Sequence, residues 1–106
     1  MTDAQLTQEQ IGAAQLADWR FISQALQTRF LTGDFATGLR LVDAIGEAAE
    51  AADHHPDLDL RYPHVNVKVW THDVNGVTEL DVSLARQMSE IAARLGIAAD
   101  PTAASV

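Results

Sequence analysis

Val65-Asn66-Val67-Lys68-Val69-Trp70 alternates side chains at every step, which is the period of a strand with one buried face. The three valines are predicted to face a layer of helices. Asn66, Lys68 and Trp70 then point the other way, a parity that His72 shares. Upstream, Pro63-His64 reads as a turn, and residues 57–62, which alternate weakly, read as the neighbouring strand. Pro56 forbids a helix through it and pushes His55 out of the helical region. The preceding helix must therefore end at the His54-His55 step. That helix is predicted over residues 35–52, because Phe35, Leu39, Val42, Ile45, Ala49 and Ala52 recur at helical spacing and Asp34 is a good N-cap. Gly38 and Gly46, each costing about 1 kcal/mol against alanine in a helix interior, point to tight packing along it.

Working further out, residues 19–30 carry Trp19, Phe21, Ile22, Leu26 and Phe30, side chains that suit a pleated surface. The polar Ser23-Gln24 step is the predicted turn of a hairpin. Thr7 and Gln10 form a capping box that opens a first helix with Ile11, Ala14 and Ala17 on one stripe, ending near Asp18. On the other side, Asn75-Gly76 is a turn signal. Thr78 and Asp81 form a second capping box, ahead of a helix with Leu84, Met88, Ile91 and Leu95 on one face. Gly96-Ile97 fits a Schellman stop. The order is α-β-β-α-β-β-α: an α+β domain with a four-stranded antiparallel sheet and three helices on one of its faces. Residues 7–97 are expected to form the domain, with a flexible stretch at 1–6 and a tail or linker at 98–106.

The chain has 106 residues, 15 acidic and 7 basic, for a net charge of −8. One domain is the expectation at that length. The acidic balance and the lack of clustered Lys and Arg speak against nucleic acid or an anionic membrane as partner. There is no cysteine, so disulfides and thiolate chemistry are excluded. No stretch has the apolar length of a membrane span and the N-terminus lacks a signal-peptide pattern, so a cytoplasmic protein is expected.

Three of the four histidines fall in two short blocks, His54-His55 at the exit of the long helix and His72 just past the valine strand. Element ends are where a scaffold presents chemistry. The spacing predicts one pocket joining them, in which imidazoles and carboxylates move protons. Glu50 and His54, four residues apart, can meet on one helix face, where the carboxylate would fix the tautomer and raise the basicity of the ring. The plainer reading is histidine decorating a helix C-terminus. Two adjacent histidines locked by proline, with a third at another loop edge, favour a site. Asp81 has a capping role that is compatible with a role in the pocket. Three histidines also suit a metal, but adjacent histidines on a helix exit point apart and no HExxH or cysteine pair is present. No metal is expected.

The residues Glu50-Ala51-Ala52-Asp53-His54-His55-Pro56, then Tyr62 and Val65, then Thr71-His72-Asp73, Gly76-Val77-Thr78 and Asp81, resemble the pterin-4a-carbinolamine dehydratase family. The resemblance covers residues 19–97 in element order. It implies the α+β layout and assembly as a homodimer or homotetramer. It also implies dehydration of 4a-hydroxytetrahydropterin to quinonoid dihydropterin, which recycles the cofactor of aromatic amino acid hydroxylases, with no cofactor of its own. By position, His54, His55 and His72 resemble the active-site histidines of the family. Glu50 and Asp81 resemble its supporting carboxylates and Trp19 a tryptophan near the pocket, and Asp53, beside the histidine pair, is a further candidate for a supporting or substrate-binding role. Thr32 and Leu58 depart from aromatics common in the family. The alternative implied by the same resemblance is a non-catalytic dimerisation or assembly-factor module of this fold.

Overall fold

The valine strand is the spine of the sheet. In the computed structural model, which describes residues 4–104, Val65–Val69 lies between two antiparallel partners. Among the described residues, β1 is Arg20–Ile22, β2 Ala25–Leu31, β3 Asp57–Leu60, β4 Val65–Val69 and β5 Ala98–Ala99. The order across the sheet is β1-β2-β4-β3, with β5 pairing β2 at one end. Val65, Val67 and Val69 face the helices and are buried together with Leu26 and Phe30, as their parity predicts. The β1–β2 turn is Ser23-Gln24, both with positive φ (51° and 69°), the conformation that matches the twist of a tight hairpin.

The helices are α1 Gln8–Ala13, α2 Phe35–Ala52 and α3 Glu79–Arg94. Both predicted capping boxes form, and Asp34 caps α2 through the Thr37 N–H. At the end of α3, Gly96 takes φ +74° while Ile97 N–H reaches Ala92 O (2.8 Å) and Gly96 N–H reaches Ala93 O (3.0 Å). That is the Schellman pattern.

Four local expectations shift. Helix α1 stops at Ala13 rather than near Asp18, because Gln15 turns left-handed at φ 54°. The buried stripe of α2 is Gly38, Leu41, Ile45 and Ala49, whereas Phe35 and Leu39 stand about half exposed, at 46% and 50%. A Cβ on Gly38 would lie 2.7 Å from Leu60 Cδ1, so that glycine does mark tight packing, but a Cβ on Gly46 would meet nothing within 4 Å. Leu95 also leaves the α3 core face and is exposed.

The first and last described stretches carry contacts. Residues 1–3 and 105–106 lie outside the described residues. Within the stretch expected as flexible, Leu6 N–H donates to Val77 O at 2.7 Å. Within the stretch expected as tail, Ala98 and Ala99 pair with Leu31 and Phe30, and Asp100 N–H donates to Arg29 O. No helix among the described residues is long and apolar enough to cross a membrane.

Candidate active site

Helix α2 ends because Asp53 adopts the left-handed conformation (φ 50°, ψ 42°). An L-residue pays a steric cost there, and aspartate pays less than most. The reversal throws His54 and His55 off the helix axis, and Pro56 commits the chain to β3. Across the domain, β4 runs out at Trp70. The chain then makes a short 3-10 turn, His72–Val74, closed by a bridge between Thr71 and Gly76. The two exits meet. A cavity of about 350 Å³ is lined by His54, His55 and His72 together with Asp53, Trp70, Thr71, Asp73 and Leu80.

The carboxylates attach differently from the predicted pairing. Glu50 does not hold His54. It bonds His55, with Nε2 to Oε2 at 2.6 Å, on the exposed rim. His54 instead bonds Asp81, with Nε2 to Oδ1 also at 2.6 Å. The reason is the left-handed Asp53: once the helix has ended, the four-residue spacing no longer puts residues 50 and 54 on one face.

Asp81 is fully buried and joins fold to site. Its Oδ2 accepts from the Thr78 N–H at 2.8 Å, completing the α3 capping box, and from the Thr71 hydroxyl at 2.7 Å, while Oδ1 faces His54. A buried carboxylate is tolerable only when it is paired and fully hydrogen-bonded, and here three donors converge on it. Because a carboxylate can only accept, His54 must present a proton on Nε2, so in the neutral ring the lone pair lies on Nδ1. The two roles foreseen for Asp81, cap and pocket carboxylate, coexist.

His72 is exposed and stacks on Trp70, with ring centroids 4.3 Å apart and planes 12° from parallel. Trp19 does not line this cavity. It is buried in the core, edge-on to Phe30 at 6.0 Å, with its indole N–H donated to Ser89 Oγ at 2.9 Å, and it borders a separate cavity beside α1. Among the described residues, no group of three or more His, Asp or Glu side chains is placed to hold a metal ion.

Thr71 stands in the Thr71-His72-Asp73 block that the sequence marks, but its link to buried Asp81 spans two elements and nothing local announces it. Leu80 is not among the residues expected at the site. It continues the four-residue spacing of Leu84 and Met88, which reads as core, yet it stands exposed in the first turn of α3 beside the cavity.

Residues 1–91 match the family described as pterin 4 alpha carbinolamine dehydratase. A relative in Nocardia farcinica, provisionally named a pterin-4-alpha-carbinolamine dehydratase, is 39% identical over 94 residues, covering 87% of this chain and 99% of that protein. One in Aquifex aeolicus with the same provisional name is 40% identical over 76 residues, covering 72% and 77%. Among solved structures, a transcriptional coactivator/pterin dehydratase from Brucella melitensis superposes with a TM-score of 0.79 at 35% identity, covering 84% of this chain and 99% of that one.

Proposed function

The chain belongs to the pterin 4 alpha carbinolamine dehydratase family, and from that premise we propose that it dehydrates 4a-hydroxytetrahydropterin to quinonoid dihydropterin by histidine acid–base catalysis. The observation that carries the reading is His54, held on buried Asp81 at the edge of a cavity that two further imidazoles share. A volume of about 350 Å³ suits a bicyclic heterocycle.

The reaction breaks the C4a–O bond, and its electrons leave with the oxygen. A proton must reach that oxygen so that water departs. The N5–H bond supplies the electrons for the new N5=C4a double bond, and its proton must be taken up. No net electrons move, so the elimination itself requires no redox cofactor. With its Nε2 proton committed to Asp81, His54 offers Nδ1 as the base. His55 at the rim is the acid in its doubly protonated form, with Nε2–H held by Glu50 and Nδ1–H given to the departing oxygen, and each transfer contributes about 10²–10⁴-fold. His72 holds the C4a hydroxyl and the ring, and Asp53 faces the polar edge of the substrate. The half-exposed Phe35 and Leu39 of α2 support association into a homodimer or homotetramer. Recycling for an aromatic amino acid hydroxylase is the pathway this chemistry would serve.

Stopped-flow dehydration of synthetic 4a-hydroxytetrahydropterin tests the proposal. The protein should accelerate water loss well beyond the uncatalysed rate, and His54→Ala and His55→Ala should abolish most of that acceleration. A folded wild-type protein that adds nothing to the uncatalysed rate would favour the non-catalytic module instead.

A further inference from the structure

Three imidazoles border the cavity, but carboxylates hold only two of them. His54 rests on Asp81 and His55 on Glu50. Among the described residues, His72 has no side-chain hydrogen-bond partner. It has Trp70. The two rings belong to residues two apart just past β4, Trp70 at the strand's exit and His72 in the 3-10 turn that follows, and they lie nearly parallel at 4.3 Å. Lys68, on the same parity, brings its ammonium to 4.8 Å from the indole centroid.

We propose that Trp70 is the positioning residue for His72, its indole face fixing the third imidazole as Asp81 and Glu50 fix the other two. The kinetic consequence rests on the dehydratase reading, whereas the structural one does not. A carboxylate partner uses one ring nitrogen and settles the tautomer. A stack sets the plane of the ring and uses neither nitrogen. His72 is therefore oriented while both of its nitrogens remain available, as suits a group that must bond a hydroxyl and a heterocycle together. Lys68 restrains the indole from its own side, since an ammonium near the ring is attracted to its electron-rich face.

Proton NMR of the resting protein and stopped-flow kinetics, applied to Trp70→Leu and Trp70→Phe, test this. His72→Gln assigns the His72 ring resonances. In the wild type these should lie upfield, displaced by the indole ring current. In Trp70→Leu they should return to free-histidine positions, with those of His54 and His55 in place, and kcat/KM should fall about tenfold as the imidazole loses its fixed plane. Trp70→Phe, which keeps an aromatic face, should recover most of the rate. Wild-type His72 resonances at free-histidine positions would overturn the inference, as would unchanged kcat/KM in Trp70→Leu or an equal loss in both variants. The NMR measurement needs no substrate, so failure of the stack and failure of the dehydratase reading are told apart.

Discussion

Replacing Asp81 with asparagine separates the chemistry of this site from its architecture. Both bonds on Oδ2, from Thr71 and Thr78, can survive on the amide oxygen. The bond on Oδ1 cannot, because the amide nitrogen placed there is a donor facing the Nε2 proton of His54. The ring must then shift its proton to Nδ1, and the nitrogen that served as base becomes an N–H. Amidating the carboxylate behind a catalytic imidazole costs about 10⁴ in kcat in the serine-protease triad for this tautomeric reason. A loss of about 10³–10⁴ is expected here. The cost to the fold is smaller: the three bonds on the buried carboxylate lose their charge assistance while the cost of burying that charge is relieved, a net of about 1–2 kcal/mol, which lowers Tm by roughly 4–9 °C in a domain of this size. Stopped-flow dehydration beside a circular-dichroism melt reads both. A folded Asp81→Asn enzyme within a few-fold of the wild-type rate would refute the role of Asp81 in setting the His54 tautomer.

Other outcomes follow from the same geometry. His55 stands on the exposed rim, so His55→Ala should leave the melting curve nearly unchanged while collapsing the dehydration rate. An active, folded variant would remove His55 from the mechanism. Asp53→Gly keeps the left-handed turn at no steric cost, so stability should hold or rise by about 0.5–1 kcal/mol, while loss of the carboxylate raises KM. A drop in Tm would show that the Asp53 side chain, not its backbone, ends α2. Gly46→Ala should stabilise by up to about 1 kcal/mol in urea titrations, since its Cβ meets open space. Gly38→Ala should gain less or lose, because Leu60 must move. His64 has its pKa held below the usual imidazole value by partial burial and then by the charge of Arg29. The unfolded chain therefore takes up the proton first, and stability is lost as pH falls through about 6.5 toward the lower folded pKa. Urea midpoints between pH 7.5 and 5.5 should fall more in the wild type than in His64→Gln, and parallel curves would contradict this.

The features legible in the sequence are those fixed by a few neighbouring residues. The span of α2, the two capping boxes, the Ser23-Gln24 turn, the Gly96 stop and the valine parity all depend on side chains within one turn or one pleat of each other. The meeting of His54, His55 and His72 in one cavity was also readable, because proline and strand parity both direct chain exits. What was not readable depended on distant contacts. Which carboxylate serves which imidazole turned on the backbone sign at Asp53. Which face of α2 is buried turned on Leu60 crossing at Gly38, so Phe35 and Leu39, though periodic, face outward. Trp19 kept company with Ser89, seventy residues away, rather than with the histidines.

The double duty of Asp81 bears on how relatives of this protein should be judged. A descendant released from turning over substrate could let the imidazoles drift at little cost to its fold, His55 and His72 above all, since they sit at the surface. Position 81 has less freedom, because the first turn of α3 would fray without a side-chain oxygen, of aspartate or asparagine, to accept the Thr78 N–H. The persistence of that oxygen in a sequence therefore testifies to an intact helix start and says nothing about whether the pocket still works.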